Sequence, residues 1–133
     1  LSVHGKDCWV RGRMDAAVPA DESGGPAIPR VIDYKYAVWR EGAESAYDIQ
    51  MTAYALALMK ALRTGRAVAE LWYLKSPMKI VRREYTLSEA EEKLRELLSR
   101  YVAAVKGNEW PAAEREYCDR VECGFREQCW GAT

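Results

Sequence analysis

The chain has 133 residues, 49% of them hydrophobic, and carries 20 Lys or Arg against 20 Asp or Glu. This length provides one compact domain with one core, and the balanced charge excludes a strongly positive overall field. No stretch has the roughly 20 consecutive apolar residues of a membrane span, and no secretory signal opens the chain. We therefore expect a soluble, cytoplasmic protein with no membrane partner.

Basic and acidic residues balance over the whole chain but not within its segments. Residues 60–106 are richer in basic than in acidic side chains, and the segments on either side are net acidic. A basic middle segment would offer a local phosphate-binding surface. An ordinary solvated helix surface explains the same pattern equally well.

The first 29 residues predict a β-hairpin followed by a loop. The strand-forming Trp9 and Val10 belong to the second strand of this hairpin, which is expected to end near Asp15. Residues 16–29 are rich in Ala, Gly, Pro, Asp and Ser, a composition typical of loops.

The third predicted strand, residues 30–38, contains a pair of opposite charges. Strand alternation places Asp33 and Lys35 on the same face as Val31. An Asp-x-Lys pair alone most often lies on a solvated sheet face. This strand is otherwise apolar, however, so the charges require a structural or chemical reason. The pair is therefore a candidate functional site.

The helix predicted over residues 47–64 brings further polar groups. Helix-forming residues fill it almost throughout, and Gly65 is expected to end it. Gln50 and Tyr54 are four residues apart and so share one helix face. Alone, Tyr54 is best explained as a core aromatic and Gln50 as a surface residue. Together with the charged pair of the third strand they form an ordered polar set.

The second half of the chain predicts two strands and a second helix. The strands cover residues 69–74 and 79–85. Ser88 and Glu91 have the spacing of a capping box that begins a helix ending at Gly107. Its apolar stripe consists of Leu94, Leu97, Leu98, Tyr101, Val102 and Val105. This order of elements predicts an α/β fold with a mixed sheet and a helical crossover.

The acidic residues of the strands are suited to a divalent cation. Phosphodiester hydrolysis near neutral pH requires a cation that offsets phosphoryl charge and lowers the pKa of the attacking water. Magnesium prefers oxygen ligands and retains waters, so two carboxylates often suffice. We expect Asp15 and Asp33 to converge for this purpose. Lys35 would orient or deprotonate the water, or stabilise the transition state.

Three short motifs, in order, resemble a known nuclease family. They are Gly-Arg-Met-Asp ending at Asp15, Asp-Tyr-Lys ending at Lys35, and Gln-Met-Thr-Ala-Tyr ending at Tyr54. They are similar to the Gly-x-x-Asp, Asp-Tyr-Lys and Gln-x-x-x-Tyr motifs of RecB- and AddAB-type nuclease domains of the PD-(D/E)XK superfamily. The resemblance runs from about Val10 to Leu58. It implies one α/β domain over residues 1–133, with a restriction-endonuclease-like core whose mixed central sheet is flanked by helices.

The resemblance also implies roles for the motif residues. Asp15 and Asp33 become ligands of Mg²⁺ or Mn²⁺ together with the backbone carbonyl of Tyr34, and Lys35 becomes the catalytic lysine. The remaining two, Gln50 and Tyr54, would help to place the lysine, the scissile phosphate or the DNA strand.

Family members of this kind cut DNA, often from an end, and are commonly fused or docked to a helicase that feeds them single strands. The resemblance therefore implies a metal-dependent DNA exonuclease that acts with, or as part of, a helicase in DNA repair or recombination. Its substrate would be single-stranded DNA or DNA with a free end. The alternative is a non-catalytic, nuclease-like module that binds DNA or docks to a protein.

The amino terminus departs from the family. A helix before the first strand usually carries a Glu, sometimes a His, that supports the metal site. This chain starts with Leu-Ser-Val-His and no Met, and His4 lies in the wrong place to substitute. We expect a fragment or a reduced form, with weakened metal affinity.

The tail, residues 112–133, contains Cys118, Cys123 and Cys129. It is similar to the three-cysteine signature of the family's iron-sulfur members, with a longer first interval. A 4Fe-4S cluster needs four thiolates, and Cys8, on a core strand, is not expected to be the fourth. A cluster in the intact protein, zinc held by the three cysteines and another ligand, and no metal all remain open. A small metal-binding interaction domain built on this tail is a third functional hypothesis.

Overall fold

The computed structural model describes residues 2–3, 6–19, 28–110, 112–120 and 123–131. The chain divides into two compact units, Leu1–Ser99 and Arg100–Thr133. The described strands are β1 (Ser2–Val3), β2 (Lys6–Asp7), β3 (Ala16–Val18), β4 (Arg30–Lys35), β5 (Arg66–Tyr73) and β6 (Lys79–Thr86). The described helices are a 3-10 helix (Ala43–Tyr47), α1 (Asp48–Leu62), α2 (Leu87–Gly107), α3 (Arg115–Arg120) and α4 (Arg126–Trp130).

A mixed sheet forms the centre of the first unit. Its strand order is β3-β4-β5-β6, with β4 and β5 parallel and the outer pairs antiparallel. Parallel neighbours require a crossover connection of about a dozen residues, and α1 supplies it between β4 and β5. The short strands β1 and β2 form a separate antiparallel pair. The predicted α/β class, a mixed sheet flanked by helices of restriction-endonuclease-like type, is confirmed.

The core lies between α1 and one face of the sheet. Odd-numbered residues of β4 and β5 point towards α1, because side chains alternate along a strand. Helix α2 adds to this core through Ala90 and Leu94, which are buried. The apolar residues of the core cluster that come from the central strands and α1 are Val31, Met51, Tyr54, Ala55, Leu56, Leu58, Met59, Ala67, Ala69, Leu71 and Tyr73.

The predicted second hairpin strand is wrong. Residues 8–14 form no strand, and Asp15 directly precedes β3 instead of ending a strand. A strand requires a neighbouring backbone to accept its hydrogen bonds, whereas the Arg13 carbonyl accepts one from the Tyr54 hydroxyl of α1. Trp9 is 94% exposed, so its preference for strands is not supported by burial. The predicted turn at His4 lies outside the described residues.

Two boundaries near the site also differ from the prediction. β4 ends at Lys35 and not at Val38, because the Ala37 amide turns back to donate to the Lys35 carbonyl at 2.8 Å. Helix α1 ends before Gly65, since Arg63 adopts a left-handed conformation with φ of 54°. Its amide donates to the carbonyls of Met59 and Lys60, which satisfies the end of the helix without a glycine.

The start of α2 lies slightly earlier than predicted. The helix begins at Leu87, and the Thr86 hydroxyl accepts a hydrogen bond from the Glu89 amide at 3.3 Å. Thr86 therefore acts as the capping residue, and the predicted capping box of Ser88 is wrong by two positions. None of the described helices is long and apolar enough to cross a membrane.

Candidate active site

The charged pair of β4 forms the centre of the site. Asp33 is only 4% exposed, and the Lys35 ammonium lies 2.7 Å from its Oδ2 atom. The two side chains share one face, as predicted, because residues two apart on a strand point the same way. That face is turned towards α1, where both contact Gln50. Burying an isolated carboxylate is costly, so the neighbouring ammonium is what makes this position tolerable in the fold.

Gln50 of α1 links the two charges. Its Oε1 atom accepts a hydrogen bond from Lys35 Nζ at 3.4 Å, while its Nε2 atom donates to Asp33 Oδ1 at 3.2 Å. A side-chain amide carries both an acceptor and donors, so one glutamine can satisfy a cation and an anion together. The predicted polar set is thus assembled around this residue.

Tyr54 connects the network to the amino-terminal segment. Its hydroxyl accepts a hydrogen bond from Gln50 Nε2 at 2.9 Å and donates one to the Arg13 carbonyl. Gly12 lies against the ring, since a Cβ atom placed on Gly12 would be 2.9 Å from Tyr54 Cε1. The glycine of the first motif therefore allows the chain to approach the tyrosine of the third.

Asp15, which directly precedes β3, contacts the end of β4. Its Oδ2 atom accepts a hydrogen bond from the backbone amide of Tyr34 at 2.9 Å. Tyr34 is the residue between Asp33 and Lys35, so an exposed and a buried carboxylate flank the end of β4. The five side chains predicted for the site, together with Tyr34, all belong to this one region: Asp15, Asp33, Lys35, Gln50 and Tyr54.

These residues fit a magnesium or manganese ion. Asp33 Oδ2 is buried and accepts no well-formed hydrogen bond within the described chain; its close neighbour is the Lys35 ammonium. Among described residues, no group of three or more His, Cys, Asp or Glu side chains is arranged to hold a metal. Magnesium does not require such a group, since one or two carboxylates with waters and substrate oxygens suffice. Asp15, Asp33 and the Tyr34 carbonyl are the oxygen donors at this strand end that could hold such an ion.

Tyr47 was not among the predicted site residues, but its ring centroid lies 4.0 Å from Lys35 Nζ. A cation over an aromatic face is attracted by the ring quadrupole, which helps to hold the lysine. The sequence does contain a helical spacing that could have indicated Tyr47. Tyr47 precedes Gln50 by three residues and Tyr54 by seven, a spacing that places all three on one helix face.

Tyr73 is a second residue that was missed. It is the register partner of Lys35 on β5, is 2% exposed, and its hydroxyl has no hydrogen-bond partner within the described residues. Burial raises the pKa of this hydroxyl, and Tyr47, Glu44 and Asp33 raise it further. No local pattern indicated Tyr73, because its position depends on how β5 pairs with β4.

The tail cysteines lie in the second unit. Cys118 of α3 is buried, the Cys123 amide donates to the Cys118 carbonyl at 2.9 Å, and Cys129 of α4 is exposed. Burial raises the pKa of the Cys118 thiol, and the nearby Cys123 raises it further. None of the chain's cysteines forms a disulfide.

Comparison with protein families gives one match. Residues 3–130 match the PD-(D/E)XK nuclease superfamily, whose members are typically nucleases that use divalent metals. The comparison with curated proteins and the comparison with solved structures found no match. Because the match covers nearly the whole chain, the protein belongs to the PD-(D/E)XK nuclease superfamily.

Proposed function

We propose that this chain is a metal-dependent DNA nuclease of the RecB and AddAB type, acting as one nuclease domain over residues 1–133. The observation that carries the proposal is the network in which Gln50 joins Lys35, Asp33 and Tyr54 beside Asp15. Such a network gathers several ionisable and polar groups in one partly buried place, an arrangement that is costly to bury unless paired and that is enriched at functional sites.

The acidic residues have distinct tasks in this proposal. Asp33 and Asp15, with the Tyr34 carbonyl, would hold Mg²⁺ or Mn²⁺. When bound, the cation offsets charge on the phosphoryl oxygens and lowers the pKa of a water. The hydrogen bond from the Tyr34 amide fixes the Asp15 carboxylate at the end of β4. Because Asp33 is buried and Asp15 is exposed, one carboxylate is preorganised by the core and the other faces substrate.

Lys35 is the proposed catalytic cation. Its ammonium is held by Asp33, Gln50 and the Tyr47 ring, and in this proposal the scissile phosphate would bind beside it. From there it donates hydrogen bonds to phosphoryl oxygens or to the attacking water. Gln50 and Tyr54 act on the reaction through the lysine and are positioning residues.

The proposed substrate and partner are those that the motif resemblance implies. We infer that the enzyme acts on single-stranded DNA or on DNA with a free end, as an exonuclease, together with a helicase in repair or recombination. The order and spacing of the Gly-x-x-Asp, Asp-Tyr-Lys and Gln-x-x-x-Tyr motifs support this inference.

The tail, residues 112–133, carries a separate proposal. In the intact protein Cys118, Cys123 and Cys129 would supply three of the four thiolates of a 4Fe-4S cluster. Their thiols belong to one compact unit, and those of Cys123 and Cys129 lie close enough to influence Cys118. Absorbance of protein purified without oxygen tests this proposal. A brown chromophore supports a cluster; a colourless protein with bound zinc, or with no metal, contradicts it.

Cleavage of end-labelled DNA tests the nuclease. Single-stranded and duplex substrates are incubated with Mg²⁺ or Mn²⁺ and, in parallel, with a chelator. We expect Asp33→Asn to abolish cleavage and Lys35→Ala to slow it by about 10² to 10⁴. Lys106→Ala, an exposed change in the second unit, is the matched control.

The outcomes separate the candidate functions. Metal-dependent cleavage that persists in Asp33→Asn contradicts the assigned site. DNA binding without cleavage in the unmodified protein supports the non-catalytic module instead. Metal binding has its own readout, because a ligand that binds the folded state raises the melting temperature. Mg²⁺ should raise the melting temperature of the unmodified protein and not that of Asp33→Asn.

A further inference from the structure

Two buried polar atoms in the sheet that carries the candidate site have no hydrogen-bond partner among the described residues. They are the Asp33 Oδ2 atom and the Tyr73 hydroxyl. A third such atom in the described part of the chain, Arg126 Nε, belongs to the second unit. Buried polar groups are nearly always paired, so each exception needs an explanation. In the sheet, one exception is an acceptor and the other is a donor.

The strand register brings these two side chains to the same face of the sheet. Tyr73 is paired with Lys35 across β4 and β5, and Leu71 is paired with Asp33. Tyr73 is therefore the diagonal neighbour of Asp33. The Cα atoms of such neighbours are about 8 Å apart, a gap that a tyrosine side chain can span. Both residues are almost completely buried, so this face is closed around them.

The charge of Asp33 acts on the Tyr73 hydroxyl. Burial raises the pKa of this hydroxyl most, and the neighbouring Tyr47, Glu44 and Asp33 raise it further. The hydroxyl therefore stays protonated near neutral pH and remains a donor. Of these three neighbours, Asp33 is the one with a buried oxygen that lacks a hydrogen bond. An unpaired donor thus lies near an unpaired acceptor.

The Lys35 ammonium compensates the Asp33 carboxylate in this structure. It lies 2.7 Å from the Oδ2 atom, so the carboxylate does not depend on a second donor. In the proposed function, however, Lys35 donates to a phosphate or to the attacking water. A lysine that turns to the substrate leaves the buried carboxylate without its closest partner, which is costly. Another donor is then required beside Asp33.

We propose that Tyr73 is a positioning residue for Asp33, whose carboxylate receives a hydrogen bond from the Tyr73 hydroxyl when Lys35 turns to the substrate. This inference rests on the proposed nuclease function and adds a residue to its site. A phenol suits the task because it is uncharged. It holds the carboxylate without cancelling the charge that attracts a divalent cation, as a lysine or an arginine would. Carboxylates that bind metals are themselves held by hydrogen bonds.

A double-mutant cycle in a chelator tests the contact without metal or cleavage. In the full chain, Tyr73→Phe removes an unpaired hydroxyl, so the melting temperature should stay unchanged or rise. In Lys35→Met, Asp33 depends on Tyr73. There Tyr73→Phe should raise the equilibrium constant of unfolding about tenfold, the effect of losing a hydrogen bond to a charged group. Denaturant unfolding of the four proteins gives the coupling. Equal effects of Tyr73→Phe with and without Lys35 overturn the proposal.

Tyr85→Phe is the matched control. Tyr85 is also a buried tyrosine of the sheet, but its hydroxyl shares a hydrogen bond with Thr52. It lies on β6, two strands away from Asp33. Tyr85→Phe should therefore destabilise the protein by the same amount with and without Lys35. If it depends on Lys35 as strongly as Tyr73→Phe does, the coupling belongs to the whole core and the proposal is overturned.

Magnesium provides a second measurement, which does not require Lys35→Met to fold. Tyr73→Phe should need about tenfold more Mg²⁺ than the unmodified protein for the same rise in melting temperature, because Asp33 is less well held. Tyr85→Phe should need no more Mg²⁺ than the unmodified protein. An unchanged Mg²⁺ requirement in Tyr73→Phe overturns the proposal.

Cleavage kinetics give a readout that a purely structural role would not change. At a fixed, limiting Mg²⁺ concentration, Tyr73→Phe should lower kcat about tenfold and leave KM for DNA unchanged, since Tyr73 does not touch the substrate. Excess Mg²⁺ should restore the rate. A raised KM, or a loss of rate that excess Mg²⁺ does not restore, contradicts a role exerted through Asp33.

Failure of the two proposals can be distinguished. If Tyr73→Phe is coupled to Lys35 but DNA is never cut with Mg²⁺ or Mn²⁺, Tyr73 still holds Asp33 and the nuclease function fails. If DNA is cut and Tyr73→Phe changes neither the coupling nor the Mg²⁺ requirement, the nuclease stands and the role of Tyr73 fails.

Discussion

The Lys35 ammonium and the Asp33 carboxylate are 2.7 Å apart, and Gln50 joins them a second time through its amide. The two residues are separated by one position on β4, so the strand itself brings them together. Because Asp33 is buried, its carboxylate is stabilised by the Lys35 ammonium in place of water. The pair therefore contributes both to the stability of the sheet and to the polar network of the candidate site.

Removing the lysine alone should be more harmful than removing both charges. Lys35→Met leaves an uncompensated buried carboxylate, and we expect it to lower the free energy of unfolding by about 3 kcal/mol. The double variant Asp33→Asn with Lys35→Met should recover most of that loss. Denaturant unfolding of the four proteins measures the coupling. Losses that simply add would mean that the pair is not coupled.

Gly12 should tolerate no side chain. Gly12→Ala places a Cβ atom 2.9 Å from Tyr54 Cε1, and overpacking of this kind costs about 1–3 kcal/mol. Gly65→Ala is the matched control, since nothing lies within 4 Å of its added Cβ. Its effect should stay within about 0.5 kcal/mol. Thermal unfolding compares the two. Equal melting temperatures would contradict the close approach of Gly12 to the ring.

Glu91 should make a small contribution to stability that depends on pH. A hydrogen bond from Lys60 lowers the pKa of Glu91, while burial opposes the shift. A lowered pKa in the folded state means that the stabilisation is present above the unfolded pKa. It is lost as the pH falls through the folded pKa. The Lys60 side chain is 52% exposed and that of Glu91 is 27% exposed, so the contribution is about 0.5 kcal/mol and weakens in salt.

Glu91→Gln tests this contribution. The unmodified protein should be the more stable of the two near neutral pH, and the difference should vanish in acid, below the folded pKa. Denaturant unfolding over that pH range measures it. A difference that is unchanged in acid would contradict the role of the Lys60 ion pair.

The tail cysteines should differ in reactivity. The thiolate is the nucleophile, and burial raises the pKa of Cys118, so little of its thiol is ionised near neutral pH. Cys129 is exposed. Iodoacetamide should therefore modify Cys129 well before Cys118, as followed by mass spectrometry of tryptic peptides. Equal rates in denaturant are the control. Equal rates in the folded protein would contradict the burial of Cys118.

Several parts of the site could be predicted because they depend on local geometry. Asp33 and Lys35 share a face since a strand repeats every two residues. Gln50 and Tyr54 share a face since a helix repeats every 3.6 residues. The hydrogen bond of 2.9 Å between Gln50 and Tyr54 and the ion pair of 2.7 Å on β4 agree with these periods.

Other parts were wrong because tertiary contacts override local preference. Trp9 and Val10 favour strands, yet residues 8–14 have no strand beside them and are held by α1 through Arg13. Gly65 is a typical helix end, yet the helix stops earlier because Arg63 can adopt a left-handed conformation. A preference of a few tenths of a kcal/mol is easily outweighed by one contact.

The sequence by itself determined the fold class and the motif residues, since hydrophobic periodicity and motif spacing are local properties of the chain. Only the tertiary structure decided that Asp15 binds the Tyr34 amide, that Tyr47 lies against Lys35, and that Tyr34 meets Trp72. These contacts join residues that are up to 38 positions apart, from 34 to 72, through the register of the strands and the packing of their neighbours. Register and packing are set by the burial of the whole core, and no local pattern contains them.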